Sequence, residues 1–283
     1  MSIRKMLPED IDFAVEMTRI EGWEYSRIEI DRLLKIDPDG SLIWEDGEQL
    51  AFLTTIHYGK TGVISHLVVS EKGRGRKIGT ELMKRGLGYL DGLGMESVVL
   101  YATHAGRKLY ENMGFKDSHR IHAHGVNVDK QTVDRLEQRC RPLRRSDLDE
   151  VVRMDSEAFQ DDRTDLITGL YDEFPEICLG LERDGDLVGA IFGRRTPIGT
   201  DLGPWVCMSG SVEDARMLFE SAAKAVGGKR VEFGIFETNK PFEDFALSYP
   251  PLKYFDVLMM VRGKPRYVRN LETACGIAGF ELG

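Results

Sequence analysis

One local pattern recurs about halfway along this chain, and the recurrence limits the architecture more than any other feature. Ile3-Arg4-Lys5-Met6-Leu7-Pro8-Glu9-Asp10-Ile11-Asp12 reads as a short strand running into a helix fronted by acids, and Arg141-Pro142-Leu143-Arg144-Arg145-Ser146-Asp147-Leu148-Asp149-Glu150 reads the same way. Acids suit that place because the start of a helix carries the positive end of its dipole. A strand and a helix signal repeated together predict two related domains, and 283 residues hold two at roughly 150 residues each. We expect them at residues 1–136 and 137–283, joined through the polar stretch near 128–139 that opens Val128-Asp129-Lys130-Gln131-Thr132.

Within the first half, helices are expected to about Ile20 and over Ser26 to Ile36, ending before Asp37-Pro38-Asp39-Gly40. β-branched and apolar runs at Ser41 to Trp44, Gln49 to His57 and Gly62 to Ser70 form a meander turning at Asp46-Gly47. Ile78, Leu82, Met83, Leu87 and Leu90 recur at helical spacing as far as Gly92. A strand at Ser97 to Tyr101, a short helix at Ala105 to Met113 and an extended run from Phe115 to Val126 complete the half. The second half repeats this order, with strands at Ile177 to Glu182, Leu187 to Arg194, Pro204 to Met208, Arg230 to Phe236 and Tyr254 to Val261, and helices at Val212 to Val226 and Lys240 to Ser248. Each half is thus an α/β (α+β) domain with a mixed, mostly antiparallel sheet flanked by helices.

Several function classes drop out on composition. Hydrophobic residues at 42% supply two cores. No run approaches the ~20 apolar residues of a membrane span, and the start is charged, so a cytoplasmic protein is expected. A net charge of −9 argues against nucleic acid or an anionic membrane as partner. The charge is uneven, with 20 Lys+Arg against 22 Asp+Glu in residues 1–139 and 18 against 25 in the remainder. Cys140, Cys178, Cys207 and Cys275 form no C-x-x-C pair and read as small buried residues rather than a zinc site or disulfide framework. All six histidines lie in the first half, where acid–base chemistry is therefore expected.

The chemistry concentrates at two places. Val68-Val69-Ser70-Glu71-Lys72-Gly73-Arg74-Gly75-Arg76-Lys77-Ile78-Gly79-Thr80 passes from strand to helix through glycines and four cations set against Glu71. Free N–H groups at the helix start, the dipole and close backbone approach suit a phosphate there, and a solvated basic turn is an equal reading of the loop alone. Neither a P-loop nor a three-glycine dinucleotide fingerprint is present. Further on stands Ala105-Gly106, followed by Leu109-Tyr110-Glu111-Asn112-Met113-Gly114-Phe115.

Together and in this order, the two motifs resemble those of the GNAT superfamily of acyl-CoA-dependent N-acyltransferases, and the likeness covers about the whole first half. The family loop Arg/Gln-x-x-Gly-x-Gly/Ala falls on Arg74, Gly75, Arg76, Lys77, Ile78 and Gly79, which the resemblance implies hold the CoA pyrophosphate with Thr80. Lys77 stands where the family has its first glycine. Leu67, Val68 and Val69 are implied to hydrogen-bond the pantetheine, with Thr103 and Gly106 lining the cofactor side. Tyr110 matches the tyrosine that protonates the departing thiolate, although an aromatic on a short helix also packs simply with its hydroxyl at the surface. The acceptor wall falls at Trp23, Glu24 and Tyr25, where a loop merely anchored by Trp23 is as good a reading. Positions that carry a strand base in relatives are Ser65 and Val63 here, so no base is assigned. His66 is expected on the other sheet face as a core histidine. His119, His122 and His124 share a strand face, with no cysteine or clustered carboxylate beside them in sequence, and read as surface residues rather than metal ligands.

The second half keeps the order and loses the motifs. Ser211 reads as an N-cap, Glu213 and Asp214 stand where phosphate would sit, and Ala246 stands where the tyrosine would fall. This half is similar to the degenerate C-terminal domains of tandem GNAT proteins, whose expected duty is to close the acceptor pocket. The resemblance implies an N-acetyltransferase that moves an acetyl group from acetyl-CoA, without a metal, to a small-molecule or peptide amine by direct attack. An acyl-CoA-binding sensor or scaffold without turnover is the alternative.

Overall fold

The computed structural model describes residues 2–128, 140–227, 230–265 and 272–283. Beyond Val128, the expected boundary stretch lies outside the described residues. The chain divides into two compact units, Met1–Asp117 with Met260–Pro265 and Phe280–Gly283, and Ser118–Met259 with Arg266–Gly279.

In the first unit β1 (Ser2–Lys5) leads through a 3-10 turn into α1 (Ile11–Ile20) and α2 (Arg27–Ile36). Ser26 caps α2, accepting from the Glu29 N–H, while the Glu29 carboxylate accepts from the Ser26 N–H. Strands β2 (Leu42–Glu45), β3 (Gln49–Tyr58) and β4 (Thr61–Val69) follow, then α3 (Ile78–Gly92), β5 (Ser97–Ala102) and α4 (Arg107–Glu111). The first four strands pair antiparallel, and β5 pairs parallel to β4. Alternation along β3 sorts the faces. Phe52 joins Met6, Ile11, Ala14, Met17, Ile30, Ile43 and Val68 under α1 and α2, whereas Leu53 meets α3, where a Cβ on Gly86 would lie 2.9 Å from its Cδ2.

The second unit comprises β6 (Lys116–Asn127), β7 (Arg141–Pro142), α5 (Leu148–Phe159), α6 (Thr164–Glu173), β8 (Leu179–Arg183), β9 (Asp186–Arg195) and β10 (Thr200–Cys207). It continues with α7 (Val212–Ala225), β11 (Arg230–Phe236), α8 (Lys240–Ala246), β12 (Pro251–Gly263) as far as Met259, and β13 (Ala274–Gly276). Strands β7 to β10 pair antiparallel and β11 parallel to β10, as in the first unit. Trp205, Phe219 and Phe233 anchor its core, and all four cysteines are buried thiols.

The sequence repeat has a physical basis. Arg4 bonds Asp10 and Glu45, and Arg141 bonds Asp147 and Glu182 at the matching places. Burial alone would raise the Asp10 carboxyl, but hydrogen bonds from Arg4, the Leu7 N–H and Gln49 outweigh it and hold it below the usual carboxylate range. Hydrogen bonds from Arg141 lead the same downward shift at Asp147.

Strand exchange is what the sequence order did not suggest. The run after Phe115 does not close the first sheet, because β6 pairs antiparallel with β11 from Ile121↔Phe236 to Asn127↔Arg230. The place beside β5 goes instead to β12, whose end from Met260 belongs to the first unit. An alternating apolar run specifies a buried strand face without naming the edge it will pair with.

Candidate active site

The site grows from the parting of β4 and β5. Their registered pairing runs from Thr61↔Ser97 to Ile64↔Leu100 and stops, while β4 continues to Val69. Across from β3 the register shifts by one residue, Thr54 facing His66 and Thr55 facing Ile64, so Ser65 is the extra residue of a bulge. Leu67, Val68 and Val69 remain paired to Leu53, Phe52 and Ala51, and no strand among the described residues pairs with the other side of this segment, an edge able to receive an extended ligand.

The loop that follows has the conformation of an anion cradle. Gly75 and Lys77 are both left-handed, at φ 76° and 61°. No backbone carbonyl among the described residues accepts from the N–H groups of Gly75, Lys77, Ile78, Gly79 or Thr80, ahead of the first helical bond from Glu81 to Lys77. The departure at Lys77 has a cost here, since a left-handed conformation in a residue with a Cβ is unfavourable by about 1 kcal/mol. Gly79 packs toward β4, where a Cβ would stand 3.5 Å from Val69. The cations are not matched against Glu71 alone. Arg74 pairs with Glu21, Arg76 with Asp46, and Lys72 with Glu48 at 2.8 Å. Exposed pairs of this kind contribute only about 0–1 kcal/mol, so they can exchange their acids for phosphate.

The loop after β5 leaves the same end of the parallel pair and brings in Tyr110. Its ring lies across Gly106, where a Cβ would fall 2.7 Å from Cε2 and 3.1 Å from the hydroxyl, so Gly106 is what allows the ring this position. Burial pushes the Tyr110 phenol up to about 12, which keeps its proton on the oxygen throughout the neutral range. Thr103 accepts from the Gly106 N–H through its carbonyl and is itself exposed.

On the α1/α2 face Trp23 and Tyr25 are partly buried against the core, which anchors the loop between the two helices. Their rings meet His66 at 6.3 and 4.6 Å between centroids, and Glu24 is exposed. His66 is 2% exposed, with Nδ1 bonded to Thr54 Oγ1 at 2.8 Å, and burial lowers it to about 4. It is the core histidine expected from the sequence, set beside the aromatic residues read as the acceptor wall.

Glu281 was missed by the sequence reading. The segment Phe280–Gly283 belongs to the first unit, with Phe280 against Tyr101 at 5.4 Å and the Glu281 carbonyl accepting from Ser65 Oγ at 2.5 Å. The buried Glu281 carboxylate accepts from the Tyr25 hydroxyl at 3.2 Å. No local signal marks a residue brought in across 216 positions of sequence. The surface reading of the histidines is corrected as well. His122 and His124 are buried, and Glu243 stands with them.

In the second unit the corresponding gap is closed by the chain. β10 and β11 pair at Thr200↔Val231 and Asp201↔Glu232 and then part, and β13 pairs antiparallel with β10 at Trp205 and Val206 while the Ile277 N–H donates to Gly234 on β11. Ser211 caps α7, and Asp214 in its first turn pairs with Arg183.

Comparison with known proteins matches residues 11–115 to the Acetyltransferase (GNAT) family and residues 151–273 to an Acetyltransferase (GNAT) domain. The chain belongs to the GNAT superfamily, as a tandem-domain member. It is similar to the uncharacterized N-acetyltransferase YitH of Bacillus subtilis (strain 168), at 26% identity over 136 residues that make up 48% of each chain, so the match spans about half that relative's length. A putative acetyltransferase from Pyrococcus horikoshii shares the fold, with a TM-score of 0.83 and 22% identity over 100% of this chain and 95% of that one. A tandem GNAT protein from the clavulanic acid biosynthesis pathway does so at a TM-score of 0.64 and 12% identity, covering 93% and 98%.

Proposed function

We propose that the domain of residues 1–136 transfers an acetyl group from acetyl-CoA to a primary amine of a small molecule or peptide, and that residues 137–283 form a domain that does not bind CoA. One observation carries this reading: among the described residues no strand pairs with the outer edge of β4 from Leu67 to Val69 in the first unit, whereas β13 occupies the corresponding edge of β10 in the second. The fit of acetyl-CoA rests on the same edge and on the N–H groups of Gly75, Lys77, Ile78, Gly79 and Thr80, which meet no backbone carbonyl among the described residues.

The β4 edge would hold the pantetheine arm and turn the thioester carbonyl toward its N–H groups, and the loop N–H groups with Arg74, Arg76 and Lys77 would hold the pyrophosphate. When bound, the thioester supplies an activated acyl carbon. A neutral amine is needed to attack that carbon, and the buried Glu281 carboxylate, hydrogen-bonded to Tyr25, is the group we assign to take the ammonium proton. Tyr110, protonated at neutral pH, donates to the sulfur as it leaves. Acidic Glu24 and the aromatic pair favour a cationic or aromatic acceptor.

Calorimetric titration of acetyl-CoA into the full chain, followed by transfer assays over spermidine, an aminosugar and a peptide with a free N-terminus, tests the reading. Saturation at one equivalent with acetylation of an amine is expected. Two equivalents would refute the assignment of the second domain, and tight binding with no transfer would favour a sensor.

A further inference from the structure

We propose that the second unit holds a divalent transition-metal ion of the zinc class on His122, His124 and Glu243. The three side chains are all buried, and one ligand atom from each lies within 4.8 Å of the others. Two atoms bound at about 2.1 Å to one tetrahedral ion stand about 3.4 Å apart, so small side-chain adjustments close the set. Two imidazoles and a carboxylate suit zinc and its neighbours rather than calcium or magnesium, which favour oxygen alone.

The local fold presents these groups together. His122 and His124 are alternate residues of β6 and project from one face of the strand. Glu243 comes from the first turn of α8, where Lys240 Nζ holds its Oε2 at 2.6 Å while Oε1 faces His122 Nδ1. A second carboxylate, Asp256, lies 3.6 Å from His122 Nε2, close enough to become the outer partner of a ligating imidazole after a small side-chain adjustment. The His124 ring is fixed between Phe233, stacked at 5.4 Å, and Tyr254 at 5.2 Å. Its Nε2 is buried and meets no hydrogen-bond partner among the described residues, a deficit that ligation would remove. Nothing in the transfer chemistry of the first unit uses these residues.

The test uses the full chain with its purification tag removed and its metals stripped by chelator. Zn²⁺ is titrated by calorimetry with a parallel thermal melt, and Co²⁺ is then used as an optical probe. One equivalent of Zn²⁺, a raised melting temperature and a tetrahedral Co²⁺ absorption band are expected. His124→Phe and Glu243→Gln should each weaken Zn²⁺ by about tenfold or more, and because these residues lie on different elements, a folding defect in one leaves the other informative. Absence of Zn²⁺ binding, or binding of equal strength in both folded variants, overturns the proposal and marks any uptake as adventitious.

Discussion

Replacing His66 with glutamine should remove a specific acid sensitivity from the fold. Glutamine keeps a polar partner for Thr54 and carries no titrating proton. In the folded chain burial, opposed in part by the charge of Glu281, brings the imidazole from 6.5 to about 4. Between those values the unfolded chain binds a proton that the native chain does not, so stability rises with pH by about 1.4 kcal/mol per unit. The whole interval amounts to about 3 kcal/mol, fully present above about pH 6.5 and lost as pH falls to 4. Urea unfolding at intervals from pH 7.5 to 4, followed by tryptophan fluorescence, measures it, since Trp23 lies against the His66 ring. His119 and His124 are also lowered by burial, but they contribute to both proteins and cancel in the difference. The native chain should lose stability more steeply than His66→Gln between pH 6.5 and 4. Parallel curves over that window would refute the argument that the fold requires a neutral His66.

A second acid transition belongs to the repeated ion pairs. Asp10 and Asp147 are held below the usual 3.8, so their contribution is present above that value and is lost as pH falls beneath it, and Asp10→Asn should flatten the unfolding profile only below about pH 4. Tyr110→Phe should lower turnover by ~10²-fold or more with acetyl-CoA affinity nearly unchanged, and wild-type turnover would remove the general-acid role. The double substitution Arg74→Ala with Arg76→Ala should weaken acetyl-CoA by about tenfold at low salt and by less at high salt, and calorimetry showing equal affinity would leave only a solvated turn. Glu281→Gln should reduce transfer by ~10²-fold while leaving acetyl-CoA binding intact, and wild-type turnover in the variant would exclude it as the base.

Local chemistry was legible wherever the ligand or partner groups are close in sequence. Capping at Ser211, the turn at Asp46-Gly47, the helical spacing to Gly92 and the glycine loop ahead of that helix are all written in short stretches, and the repeated strand and acid-fronted helix were enough to expect two similar domains. Tertiary structure decided what depends on pairing across the chain. The strand beside β5 is the end of β12 rather than β6, because an alternating strand encodes a buried face and leaves its edge partner open. Three loop cations meet Glu21, Asp46 and Glu48, residues outside the loop's own sequence. His122 and His124 are buried against Glu243 because a helix more than a hundred positions away packs over their strand face. Glu281 reaches Tyr25 and Ser65 for the same reason: hydrophobic periodicity records which groups leave water, whereas the identity of what they meet is set only when distant segments pack.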